Sequence, residues 1–194
     1  MAGLALGHGA GGGIKSPDLV AAAEAARSAG LSVALVEQPY RVAGRRSPAP
    51  ARQLDAAWAS VVLQLRAGPL RGLPILTGGR SSGARVACRT AAETNSVAIL
   101  CLAFPLHPPG HPEKSRIAEL DGVRVPTLVV QGENDPFGIP PAGPNRTINR
   151  IPGTHSLKNS AAVAAAVSQW LSGQSRRLHQ FYRQGEPATF APGP

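Results

Sequence analysis

Leu73-Pro74-Ile75-Leu76-Thr77-Gly78-Gly79-Arg80-Ser81-Ser82-Gly83-Ala84 is the stretch on which the reading of this chain turns. An apolar run, residues 73–77, leads into Gly79-Arg80-Ser81-Ser82-Gly83, and a helix-forming run, residues 84–92, leaves it. Strand, G-x-S-x-G, helix is the context that gives this short motif meaning. A serine at so tight a turn sits in strained backbone, and the flanking glycines let the chain reverse without clashes. The strain lifts the Ser81 hydroxyl above the sheet edge, open to a base on one side and a substrate on the other. The plain alternative is a turn serine with no chemistry.

Two further residues fall where such a serine needs them. Asp135, in Gly132-Glu133-Asn134-Asp135-Pro136, follows a second apolar strand, residues 125–131. His155, in Gly153-Thr154-His155-Ser156, follows a short strand at residues 146–151 and precedes a closing helix at residues 161–171. Acyl transfer requires a nucleophile, a base, an acid that orients the base, and donors for the oxyanion. Ser81, His155 and Asp135 fill the first three roles. Asp135 also reads as an Asx-turn residue before proline, which is compatible with orienting His155. Glu133 is the reserve acid, and His155 taken alone would be an ordinary surface residue.

The oxyanion donors are expected to be the backbone N–H groups of Ser82 and of Ala10, with Gly11 as the alternative to Ala10. Ala10 lies in His8-Gly9-Ala10-Gly11-Gly12-Gly13. Such a loop could instead cradle a phosphate, but it lacks the Lys-Ser/Thr of a P-loop, and Glu37 only loosely imitates the acidic residue of a dinucleotide site. Gly11, Arg80 and His107 are candidates for the pocket wall. His107 and His111 sit in a proline-rich loop, where a histidine wedged against prolines is the plainer reading, and a metal would find no third ligand there.

Elsewhere strands alternate with helices, the signature of a parallel α/β sheet. Residues 3–7 make a short strand that runs into the glycine-rich loop. Residues 17–29 are alanine-rich and helical, with Ser16 as N-cap, Pro17 at the first helical position and Gly30 as the stop. Residues 31–37 read as a buried-type strand, 39–50 as a basic loop, 51–67 as a helix and 97–103 as a strand. Between Asp135 and Arg146 the Pro/Gly content predicts a loop in place of a helix. The expectation is one α/β domain over residues 1–172, an open, mostly parallel sheet of about six strands with helices on both faces and no cap. A flexible basic tail, residues 173–194, follows it.

Bulk properties narrow the function. At 194 residues the chain fits one domain with a sizeable core. Hydrophobic residues are 43%, and no window approaches the ~20 continuous apolar residues of a membrane span. The first residues have neither a basic lead nor a full apolar core, so no secretory signal is expected and a cytoplasmic location is the default. Cys88 and Cys101 lack metal-ligand spacing and read as buried reduced thiols. The net charge of +9 lies in scattered arginines, with clusters at Arg41, Arg45, Arg46 and Arg52 and at Arg176, Arg177 and Arg183. Aromatic residues are 4% and do not interleave with the basic ones, so specific nucleic-acid binding is not expected. A basic surface that attracts anionic substrates is compatible with this charge.

Together these motifs resemble the α/β-hydrolase superfamily, in which nucleophile, acid and base follow in the order Ser, Asp, His. Four segments are similar to its dienelactone-hydrolase-like branch, which includes a testis-expressed hydrolase-like protein and a subunit of the NSL chromatin complex. They are Gly7-His8-Gly9-Ala10-Gly11-Gly12, Gly78-Gly79-Arg80-Ser81-Ser82-Gly83, Phe104-Pro105-Leu106-His107-Pro108-Pro109-Gly110 and Pro126-Thr127-Leu128-Val129-Val130-Gln131-Gly132-Glu133-Asn134-Asp135-Pro136-Phe137-Gly138. With His155-Ser156-Leu157 they span nearly all of residues 4–172. The resemblance implies an esterase-like serine hydrolase that acts on a small acyl substrate through a covalent acyl-enzyme, with no metal or organic cofactor. It also admits a catalytically silent member of the fold that serves as a complex subunit. The superfamily usually has two strands ahead of the one carrying the His-Gly loop, whereas Met1 stands almost on that strand. In the usual strand order this leaves residues 31–37 as an apolar edge, a surface for a homodimer.

Overall fold

The computed structural model describes the backbone of residues 1–184 and the side chains of residues 1–174. Six strands form one sheet: β1 (Gly3–Gly7), β2 (Ser32–Val36), β3 (Ile75–Arg80), β4 (Ile99–Leu102), β5 (Thr127–Gly132) and β6 (Arg146–Ile151), in the order β2-β1-β3-β4-β5-β6. Every neighbouring pair is parallel. Successive side chains of a strand point to opposite faces, and here both faces are covered. Leu4 and Leu6 of β1, Leu76 of β3, Leu100 and Leu102 of β4, and Leu128 and Val130 of β5 enter one core. That core also takes the buried side of α1 (Pro17–Ser28) and of α6 (Ser160–Gln184). Ala5, Ile75, Ile99, Cys101 and Val129 point the other way. They meet α3 (Ala51–Ala67), α4 (Ser82–Arg89) and α5 (Ile117–Asp121). On α3 the contact is a stripe of Leu54, Trp58 and Val62, one residue per helical turn.

The chain steps from β1 outward to β2, then returns past β1 to β3 and proceeds outward through β6. That reversal places the loops after β1 and β3 on either side of a crevice at the carboxyl ends of the strands, where open α/β sheets bind ligands. Gly7 at the end of β1 pairs with Gly79 of β3, so the two loops start side by side.

Several details differ from expectation. Ser16 stands at the N-cap position of α1, but its hydroxyl donates to the Gly13 carbonyl (2.9 Å) and caps no helix N–H. One turn of helix, α2 (Pro39–Val42), begins the loop expected over residues 39–50, because Pro39 presets a helical φ at the first position. The five residues of α5 fill part of the connection between β4 and β5. α6 continues well past residue 171 to Gln184; no proline interrupts residues 172–186, and Gln, Arg and Leu there favour helix. Residues 185–194 of the expected tail lie outside the described residues. The connection from β5 to β6, in agreement with its Pro/Gly content, holds no helix. No helix among the described residues is long and apolar enough to cross a membrane.

Candidate active site

Ser81 links β3 directly to α4 with φ 52° and ψ −111°, a left-handed backbone that a residue with a Cβ adopts at a cost of about 1–3 kcal/mol. The surroundings fit this turn. The Ser81 N–H donates to the Leu102 carbonyl of β4 (2.8 Å), which extends the ladder up to the turn. A Cβ on either Gly79 or Gly83 would run into the Gly7 carbonyl at the end of β1. Glycine at both places therefore lets the elbow close against the neighbouring strand.

The three residues picked from the sequence meet in space. His155 Nε2 lies 2.9 Å from Ser81 Oγ. On the far side of the ring, His155 Nδ1 lies 2.9 Å from Asp135 Oδ2 and 3.2 Å from Oδ1. With Asp135 accepting from Nδ1–H, Nε2 is the acceptor for the serine hydroxyl. The Asp135 carboxylate is fully buried, while the His155 side chain keeps 16% of its exposure, enough to touch solvent and a bound molecule.

Asp135 is fixed by more than the histidine. Its Oδ1 accepts the Phe137 N–H (2.9 Å), the Asx turn anticipated for this position. Its Oδ2 accepts from Gln131 Nε2 at 2.7 Å. Gln131 is a buried amide after the apolar Leu128, Val129 and Val130, and its Nε2 also lies within reach of the Gly138 carbonyl (2.9 Å) and the Phe104 carbonyl (3.1 Å). The Phe137 ring tilts over the His155 imidazole, with centroids 4.1 Å apart. The sequence signals for these two were faint: a polar residue inside Thr127-Leu128-Val129-Val130-Gln131, and an aromatic two residues after the acid. A Cβ on Gly132 would meet the Thr154 carbonyl, so the loops that carry acid and base can touch only at a glycine. Glu133, the reserve acid, is exposed.

The loop after β1 is held from beneath. His8 is fully buried; its Nε2 accepts the Gln38 N–H (2.9 Å), which puts the ring proton on Nδ1, facing the Gly9 carbonyl (2.7 Å). The Tyr40 hydroxyl donates to the Ala10 carbonyl (3.1 Å), and burial raises its pKa against the opposing pull of Arg41, so it stays a donor. Ser82 opens α4, where a helix leaves its first N–H groups without intrahelical acceptors. Among the described residues neither the Ala10 nor the Ser82 N–H donates to a protein acceptor.

Of the three pocket candidates, Gly11 is exposed in this loop. Arg80 is drawn inward: Nε donates to Asp18 Oδ2 (2.9 Å) and Nη2 to the His155 carbonyl (3.1 Å). His107 donates its N–H to the Phe137 carbonyl (2.9 Å) and lays its ring against Gly138, behind the turn that holds Asp135. A cavity of about 580 Å³ lies against Tyr40, Arg45, Arg46, Ser47 and Gln53, and the triad takes no part in its lining. Cys88 and Cys101 are buried free thiols with sulfurs 3.5 Å apart. The Cys88 hydrogen bond and burial together push Cys101 well above the usual thiol range. No group of three His, Cys, Asp or Glu among the described residues is arranged to hold a metal ion.

Among solved structures, the chain is similar to the dienelactone hydrolase of Anabaena variabilis, at 20% identity and TM-score 0.70, covering 89% of this chain and 86% of that one. It is similar to Est1E from Butyrivibrio proteoclasticus with ferulic acid bound, at 19% identity and TM-score 0.70, covering 90% and 89%. It is also similar to a serine hydrolase without a lid from Xanthomonas campestris, at 21% identity and TM-score 0.66, covering 87% and 82%. At such identities the likeness is one of fold. No curated protein matches the chain. The family described as alpha/beta hydrolase domain matches residues 1–177, and the chain belongs to that family.

Proposed function

We propose that this protein is a serine hydrolase that cleaves small acyl esters through a covalent acyl-enzyme. The reading rests on one observation: an unbroken hydrogen-bond chain from the Ser81 hydroxyl through His155 to the buried Asp135. In that order, Ser81 Oγ attacks the ester carbonyl as its proton passes to His155 Nε2, and Asp135 steadies the imidazolium. The Ala10 and Ser82 N–H groups receive the oxyanion, and collapse of the tetrahedral intermediate expels the alcohol with the proton from His155. Water activated by the same imidazole then adds to the acyl carbonyl, and the acid leaves from Ser81.

No long insertion follows β4 to make a helical lid, which favours short, soluble acyl groups. The likeness in sequence motifs to the dienelactone-hydrolase-like branch with the testis-expressed and NSL-subunit proteins supports the same scaffold. A small acyl compound is the proposed partner and the cytoplasm the proposed location. The outer side of β2 is proposed to pair with a second copy, which chromatography with light scattering would reveal as a dimer.

A fluorophosphonate probe read by mass spectrometry tests the main reading. The wild type is expected to carry the label on Ser81, and Ser81→Ala to carry none and to lose on the order of 10⁶ in turnover. A folded, unlabelled wild type would instead favour the interaction-protein reading of the fold. A series of nitrophenyl esters is expected to peak at short chains; a preference rising beyond ~C10 would contradict the shallow site.

A further inference from the structure

We propose that Arg80, anchored by Asp18, is a positioning residue of this site: its guanidinium fixes the backbone of His155 and so aims the imidazole at Ser81. The inference rests on the hydrolase reading of the triad and adds two residues to it. Arg80 is the last residue of β3 and the variable position of the G-x-S-x-G turn. Its side chain turns away from solvent and retains 17% of its exposure. Nε reaches Asp18 Oδ2 at 2.9 Å while Nη2 reaches the His155 carbonyl at 3.1 Å. Nη1 lies over Gly9 so closely that a Cβ on that glycine would sit 2.9 Å from it. One planar group thus touches the first loop, the start of α1 and the histidine loop, and its own backbone carries the nucleophile.

The anchor is rigid. Asp18 is 1% exposed, sits in the first turn of α1, and gives its second oxygen to the Leu19 N–H (2.9 Å). The positive end of a helix dipole supports a carboxylate at that place. The histidine loop, by contrast, lies between β6 and α6 with no ladder of its own and contains two left-handed residues, Gly153 (φ 131°) and Leu157 (φ 43°). Asp135 holds the far edge of the ring, but a ring held at one edge can still swing with its backbone. Phe137 packs on the ring and the Asn134 N–H holds the Gly153 carbonyl (2.9 Å), but Arg80 is the group that takes the backbone carbonyl of His155 itself. The fork of a guanidinium can serve Asp18 and the His155 carbonyl at once from a fixed plane, which an ammonium on a flexible stem cannot do. Buried ion pairs are a poor source of net stability, because desolvation opposes their attraction, so a pair in this place is better explained by the geometry it enforces. A displacement near 1 Å of a catalytic group can cost about 100-fold in rate.

Three variants of the full chain test this: Arg80→Lys, Asp18→Asn, and the apolar double replacement Arg80→Leu with Asp18→Leu. The double replacement removes the pair without leaving a buried unpaired charge, and its thermal melt should stay cooperative. On a short nitrophenyl ester, all three are expected to lose about 10- to 100-fold in kcat with KM within twofold, since the guanidinium is committed to Asp18 and the His155 carbonyl. The His155 Nδ1–H resonance, bonded to Asp135 in the wild type, is expected to broaden or vanish in each. A double variant that melts cooperatively and turns over at the wild-type rate would reduce the pair to a structural filler and overturn the proposal. If the wild type itself neither labels nor turns over, the hydrolase reading fails, and the resonance still decides: an unchanged Nδ1–H signal in folded Arg80→Lys overturns the positioning role.

Discussion

Two buried carboxylates serve the same histidine from opposite ends. Asp135 takes the imidazole at Nδ1, directly, from a turn after β5. Asp18 works at one remove, from the first turn of a helix 62 residues away in sequence from the arginine it holds, and that arginine takes the backbone carbonyl of His155. Both side chains are almost wholly shielded from water. They differ in what a neutral substitute would destroy. At Asp135, in the proposed reaction, the negative charge faces the imidazolium that forms, so charge itself is what that reaction would use. At Asp18 the charge holds a permanent cation in place and never faces a reacting atom. An acid beside the chemistry and an acid beneath it can look alike in burial and bond length, and the group each one touches separates them.

Asp135→Asn is expected to lower kcat by about 10⁴ while leaving the melt and KM nearly unchanged, since the amide keeps the shape but removes the charge and favours the wrong ring tautomer. A loss under tenfold would place Glu133 or another group in its role. Combining Asp135→Asn with Asp18→Asn tests whether the two residues act through His155 alone. Because both residues act through one histidine, the pair should lose no more than the single Asp135 variant, where independent action would multiply the losses. A full multiplication would mean that Asp18 acts by some route other than His155.

Gln131→Leu comes next. It strips one hydrogen bond from the Asp135 carboxylate and leaves the Phe104 and Gly138 carbonyls with one donor fewer. The expected outcome is a stability loss of about 1–3 kcal/mol in urea titration, with a loss in kcat of roughly tenfold. The smallest effect belongs to a region outside both carboxylates. Cys88 and Cys101 lie on the opposite face of the sheet from α1, buried, with Cys101 held in its protonated form by the Cys88 hydrogen bond and by burial. Since the thiolate is the reactive species, iodoacetamide at pH 8 should modify neither residue in the native protein and both in urea, with native turnover unaffected. Rapid native labelling would show that this core opens far more readily than its packing implies.

What could be read in the sequence follows the same division. Ser81, Asp135 and His155 stood out because each sits at the end of a strand in a short local pattern, and their order along the chain is itself a signal. β1, α3 and β6 could be bounded to the residue because proline, glycine and apolar periodicity punctuate them. Asp18 carried no such mark, since an acidic residue in the first turn of a helix is what the dipole favours anyway. Arg80 was legible as a pocket candidate but not as a clamp, because its two acceptors come from segments far away in sequence. Ser16 misled for a local reason: the Gly13 carbonyl lies within reach and takes the hydroxyl that the pattern assigned to a cap. α2 and α5, single turns inside proline-bearing connections, are too short for any periodicity to show.

The glycines that let neighbouring loops touch have a consequence for how this protein can change over generations. At Gly79 and Gly83 the space a β-carbon would need is taken by the Gly7 carbonyl, and at Gly132 by the Thr154 carbonyl. Every missense change of a glycine codon installs a side chain, so at these positions such a change meets space that backbone already fills. The exposed loop around Arg45, Arg46 and Ser47 meets no such barrier. Side-chain change is therefore easier to accommodate in such loops than at the strand ends. The proposed site keeps its place in the fold while the loops around it are free to vary.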